Sequence, residues 1–167
     1  MRIIFSILLL ISTLFAEAQS ELAKRNGFKD IKLGSLVDSV KGAIFKKDFI
    51  EHKEFPAKLY EVEHANYEKV GSVPVKKIEL KTYKGFIYDI LVITAKDPQI
   101  MRGLEKSYGK ATYNIRTETY NWVAPDTLSL VYKGHHKDFR LSYRSAPVRK
   151  MMFIDKGKKI EEIAEDF

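Results

Sequence analysis

Between Val75 and Thr94 the chain carries the side-chain pattern of an antiparallel hairpin. Ile78, Leu80 and Thr82 alternate with Lys77, Glu79 and Lys81, the period of two required by a strand with one buried face and one wet face. Tyr83-Lys84-Gly85-Phe86 supplies a tight turn, after which Phe86 to Thr94 is almost entirely apolar. A strand apolar on both sides belongs inside a sheet and not at its rim. The chain is thereby committed to an antiparallel sheet with the second arm of this hairpin near its centre.

The remaining segments are read around that hairpin. Phe28 to Leu33 alternates like a short strand and stops at Gly34. Ser35-Leu36-Val37-Asp38 has the form of a helix N-cap followed by an acid, and Val37, Val40 and Ile44 then sit at helical spacing. A helix of about two turns is expected there, closing near Gly42. Lys46 to Pro56 is mixed and receives no assignment, and Leu59 to His64 gives a weak strand. The clearest helix lies between Asp97 and Gly109, with Pro98 in the first turn, where its missing N–H is no loss. Ile100, Met101, Leu104 and Tyr108 form its apolar stripe, and Gly103 inside it implies close packing on the sheet or a loose helix. Thr112 to Val123 reads as one long strand, and Leu128–Tyr132 with Phe139–Tyr143 as a hairpin. Pro147 ends the sheet, and Gly157 to Phe167 reads as a tail or a short docked helix, with the tail favoured. The class is α+β, an antiparallel sheet with helices packed on one face. The order helix, three strands, helix, three strands over residues 28–94 and 95–145 further suggests an ancient α-β-β-β duplication.

The first residues suggest where this domain works. Met1 and Arg2 precede an uncharged apolar run from Ile3 to Phe15, followed by Ala16-Glu17-Ala18 and Gln19. A positive start, a short apolar core and small residues at −3 and −1 are the features of a cleavable secretory signal covering residues 1–18. A spanning helix would need about 20 mostly apolar residues, and this run is shorter and contains Ser6, Ser12 and Thr13. Export to the periplasm or the medium is expected, with no integral membrane span after cleavage. The single α+β domain then covers 19–150, with 151–167 as the terminal tail or helix. The sequence contains no cysteine, which excludes both disulfides and lipid attachment, so the domain is held by packing alone. At roughly 150 residues it has enough chain to build such a core.

The net charge is +7, and residues 101–150 hold ten Lys and Arg against four acids, while 61–100 hold six of each. A basic exported surface suits an anionic polymer, an anionic lipid surface or an acidic protein face, and nucleic acid is not expected outside the cytoplasm. Phe28-x-x-Ile31-x-Leu33-Gly34-Ser35 leading to Val40 resembles the helix entry of small periplasmic proteins of the BamE/SmpA type and of β-lactamase-inhibitor-like repeats. Leu104-x-x-x-Tyr108-Gly109-Lys110-Ala111, followed by Tyr120-x-Trp122, is similar to the second half of several such domains. The resemblance implies helices on one face of an antiparallel sheet and protein binding in the cell envelope. The lipobox cysteine of the BamE type is missing.

No arrangement of side chains marks a catalyst. There is no G-x-S-x-G elbow, no S-x-x-K and no cysteine nucleophile. His135 and His136 are adjacent, so on a strand they point to opposite faces and could not share a metal; Glu61 and Glu63 likewise share a strand face that His64 does not. No metal or cofactor is implied. Asp89, inside the most apolar strand, must face solvent or find a Lys or Arg, because a buried carboxylate is costly unless paired. Tyr and Trp beside Arg are the residue types of interface hot spots. Tyr120, Trp122, Arg140 and Arg144 are therefore the candidate binding residues, with Trp122 expected to be partly exposed at a strand end. The expected function is a non-catalytic envelope binding module. The alternatives are a small secreted hydrolase, betrayed by a deep pocket with convergent acids, and a basic module attached to an anionic surface.

Overall fold

The structure, a computed structural model, describes residues 21–165. The expected leader at 1–18 lies outside them. The chain opens with a helical turn, α1 (residues 21–25), and a miniature hairpin of β1 (Gly27–Phe28) and β2 (Ile31–Lys32). Then follow β3 (Ala43–Glu51), β4 (Phe55–Val62), β5 (Lys69–Val70), β6 (Val73–Tyr83) and β7 (Phe86–Ala95). Helix α2 (Gln99–Tyr108) leads to β8 (Thr112–Asn114), β9 (Thr119–Ala124), β10 (Leu128–His135), β11 (Asp138–Ser145) and α3 (Ala146–Glu165).

Eight strands form one antiparallel sheet in the order β3-β4-β6-β7-β11-β10-β9-β8, with β5 attached to β6. The expected hairpin is its centre: β6 and β7 pair along most of their length, joined by Lys84 and Gly85, both at positive φ. Two successive left-handed residues match the twist of the flanking strands, and the glycine adopts that conformation without strain. Ile87, Ile90 and Val92 of β7 are wholly buried. They pack with Ile78, Leu80, Leu130, Leu141, Tyr143 and Trp122 against Leu22, Phe28, Ile31, Ile100, Leu104 and Tyr108. Helices α1 and α2 thus cover one face of the sheet. At the start of α2, Asp97 Oδ1 accepts from the Gln99 N–H at 2.8 Å, and Gly109 at φ 75° closes its end, as expected.

Three expectations are corrected and one unassigned stretch is resolved. Residues 35–42 contain only a 3-10 turn, Val37–Ser39, because Val40 is already extended and Ile44 belongs to β3. Thr112–Val123 is two strands: Asn114 Oδ1 accepts from the N–H groups of Arg116 and Thr117 and turns the chain back on itself. The segment left unassigned from Lys46 to Pro56 is the β3–β4 hairpin, turning at His52 and Lys53. The C-terminus is not a tail, and its helix is longer than expected. It is α3, of 20 residues, so a boundary at 150 would cut a continuous helix. Pro147 is the reason for the misreading: it ends a sheet and equally starts a helix, and here Ser145 Oγ caps the Val148 N–H at 3.3 Å.

Helix α3 also departs from the expectation that all helices share one face. Alternation along β4 and β6 turns Phe55, Ala57 and Tyr83 away from the face that buries Leu80. These three, with Tyr88, Val148 and Met152, form a second apolar cluster at one end of the opposite face. The rest of that face is left open.

Candidate functional site

A β-bulge shapes the open face. Lys81 pairs with Asp89 and the next residue, Thr82, with Ile87, so Tyr88 is the extra residue of β7. Bulges re-aim side chains, and here Tyr88 and Asp89 both line the pocket beside α3. Tyr88 donates its hydroxyl to Glu51 Oε2 at 2.8 Å, and Lys81 Nζ lies 2.9 Å from the same oxygen. Burial alone would raise the Glu51 pKa, but these two donors and the charges of Lys81 and His52 leave it below the ordinary value. For the Tyr88 phenol the result is the reverse: burial first, then the Glu51 carboxylate, drive its pKa well up. Asp89 has a cationic partner. Arg144 Nε lies 3.3 Å from its Oδ2 and Ser142 Oγ 3.5 Å, yet burial dominates and its pKa is raised.

Glu51 and Asp89 thus converge on one pocket, as a hydrolase would require, but the pocket holds only about 140 Å³. Ligand sites usually occupy about 300–1,000 Å³. Both carboxylates already accept from protein donors, so the cluster works as a tie among β3, β6, β7 and β11.

Beyond it the sheet is bare. The open face of β6, β7, β11 and β10 forms a shallow depression of about 330 Å³ in which Leu91 and Val131 lie among Lys81, Lys133, Arg140 and Arg144. Glu79 is taken by Lys77 at 2.8 Å, Asp89 by Arg144, and Lys81 by Glu51. Lys133 and Arg140 face each other across β10 and β11, both exposed, and form no ion pair among the described residues. Like charges directly opposite on a sheet are destabilising.

The four residues singled out from the sequence are divided by this architecture. Arg140 and Arg144 stand on the open face. Tyr120 and Trp122 alternate onto the other one: Tyr120 packs on Tyr113 and Tyr132, and Trp122 is only 5% exposed. Trp122 is therefore a core residue and not a partly exposed one; its Nε1 donates to the Gly109 carbonyl at 2.8 Å and ties the end of α2 to β9. No family model matches the chain, and no curated protein or solved structure matches it either.

The histidines are in turns or edges. His135 and His136 meet edge to face, ring centres 4.8 Å apart, in the β10–β11 turn, and His64 Nδ1 accepts from the Asn66 N–H. Glu61 is engaged by Lys46 at 3.3 Å. Among the described residues no three His, Cys, Asp or Glu side chains are grouped to hold a metal ion. Sequence reasoning missed Lys133 and Glu51. Lys133 was legible in principle, since it continues the alternation Ser129, Val131 opposite Arg140, Ser142 and Arg144. Glu51 was not, because the hairpin that presents it lies in the unassigned stretch and the bulge that aims Tyr88 lies inside a strand whose apolar pattern does not mark it.

Proposed function

We propose that this chain is a non-catalytic binding module of the cell envelope that docks an acidic protein surface onto the open face of its sheet. The observation that carries this reading is the cross-strand pair Lys133 and Arg140, two exposed like charges that form no ion pair among the described residues. An acidic partner supplies the missing charge. Apolar Leu91, Ile93 and Val131 lie between the cations on this face, which favours a protein over a purely electrostatic polymer or lipid surface. Export through residues 1–18 is part of the same reading, resting on the signal pattern, and so is the likeness to the BamE/SmpA and β-lactamase-inhibitor-like group. The duplication is proposed in altered form: each half is a meander of four strands ending on the central pair β7–β11, an order that reads the same from either edge of the sheet.

A photo-crosslinker placed at Ser142 in the exported protein tests the docking. One adduct is expected whose partner is acidic at the crosslinked surface, lost in Lys133→Glu/Arg140→Glu and retained in Lys106→Glu on α2. No adduct, or an adduct indifferent to the double reversal, overturns the reading. Charge-dependent retention on anionic vesicles or polymer without a protein adduct overturns the choice of partner.

A further inference from the structure

The other face of the sheet holds a cavity of about 560 Å³ between α1, α2, the β5–β6 turn and β11. Its walls are apolar: Phe28, Val73, Ile100, Leu104 and Leu141. Gly103 opens it. This glycine lies in the middle of α2 with ordinary helical φ, and a Cβ built there meets nothing within 4 Å, so close packing does not explain it. A mid-helix glycine costs about 1 kcal/mol relative to alanine, and here the missing side chain leaves space in the cavity wall.

Arg25, Tyr108 and Tyr143 line the cavity together, with Ser72, Gln99 and Ser107 elsewhere in its wall. Tyr143 is 3% exposed, lines the cavity, and its hydroxyl makes no hydrogen bond to any described residue. Burial raises the pKa of Tyr143. The Arg25 guanidinium lies 5.6 Å from the centre of the Tyr108 ring, and Lys29 is a second cation at the rim. Glu21, whose carboxylate also feels the charge of Arg25, is held by Lys24 at 2.8 Å, and among the described residues no Asp or Glu lines the cavity.

We infer that this cavity is a binding site for a small amphiphile with an anionic head and an apolar tail. Arg25 receives the head, the Tyr143 hydroxyl donates to it, and the tail lies along Gly103, Ile100, Leu104 and Phe28. A guanidinium with a flanking hydroxyl suits a carboxylate or a phosphate, each of which offers paired acceptor oxygens. The site lies on the face opposite Lys133 and Arg140 and does not depend on the docking proposed there.

Calorimetric titration tests the site with decanoate, decyl phosphate, decanol and decyltrimethylammonium, using the protein as recovered from the exporting cell. Saturable one-to-one binding of decanoate or decyl phosphate is expected, with the tighter of the two naming the head group, and no binding of decyltrimethylammonium. Arg25→Gln is expected to weaken the anion about ten-fold or more while leaving decanol within about two-fold. Gly103→Leu, which fills the cavity from a good helix former, is expected to abolish binding of all of them. Tyr143→Phe, a substitution the core tolerates, gives a several-fold loss for the anions alone and serves if the leucine variant does not fold. Equal binding of cationic and anionic amphiphiles, binding of none, or unchanged binding in a folded Gly103→Leu variant overturns the inference.

Discussion

At the scale of single residues, stability and function pull against each other on the open face. Lys133→Thr removes one of two like charges facing each other across β10 and β11. It is expected to stabilise the fold by a few tenths of a kcal/mol up to about 1 kcal/mol in urea denaturation, while weakening retention of an acidic partner. The Glu51–Tyr88 bond behaves oppositely. A carboxylate whose folded pKa is depressed adds stability above its unfolded value of 4.5, and that stability is lost as pH falls through the folded pKa. Tyr88→Phe removes one of the donors that hold the value down. Its expected signature is a Glu51 pKa shifted upward by carbon NMR, a loss of about 1 kcal/mol near neutral pH, and a shallower loss of stability on acidification. An unchanged Glu51 titration would mean that Lys81 and His52 set it without Tyr88. Asp89 runs the other way. Its raised pKa makes its contribution greatest when protonated, and that contribution declines as pH climbs from 3.8 through the folded value. The sequence showed that Asp89 must face solvent or find a cation. It could not show which one, because pairing Arg144 with Asp89 depends on the antiparallel register of β11 against β7.

At the scale of elements, what could be read in advance was whatever the local pattern alone dictates. The β6–β7 hairpin and α2 announced themselves because alternation, turn residues and caps all agree there. The region after Gly34 misled for the same kind of reason: Ser35 to Asp38 has the chemistry of a helix start, but the Leu36–Phe86 bridge and the Val37 N–H to Gly85 carbonyl bond tie it to the sheet after less than one helical turn. Helix α3 misled because its C-terminal half buries little; Ile160 and Ile163 are exposed, and only Val148 and Met152 are buried. Nothing local says that Tyr83 and Phe55 await it. This asymmetry makes a prediction. Met152→Ala is expected to cost about 2–5 kcal/mol of global stability, whereas Ile160→Ala costs less than about 0.5 kcal/mol. Thermal and urea unfolding of the two variants checks it, and equal small effects would return the whole segment to the status of a tail. Gly103→Ala gives the complementary case in α2. With open space at its Cβ, alanine is expected to raise stability by about 1 kcal/mol.

At the scale of the whole molecule, the sheet is a partition. One face carries the main core, α1, α2 and the amphiphile cavity; the other carries α3 at one end and an open basic surface over the rest. The sequence candidates Tyr120, Trp122, Arg140 and Arg144 fell on both sides because nearness in sequence says nothing about which face a residue joins once strands alternate. A partition also separates energetics. Sites with no shared partner and a packed layer between them usually act additively. Arg25→Gln is therefore expected to leave crosslinking at Ser142 unchanged, and Lys133→Glu/Arg140→Glu to leave decanoate affinity within about two-fold. The alternative has a definite physical route: β11 contributes Tyr143 to the cavity and Arg140 to the open face, so a ligand that shifts this strand would be felt on both sides. Coupling of that kind is reciprocal. If decanoate changed partner retention, the partner would have to change decanoate affinity by the same factor, and measuring both directions distinguishes a linked pair of sites from two independent ones built on one sheet.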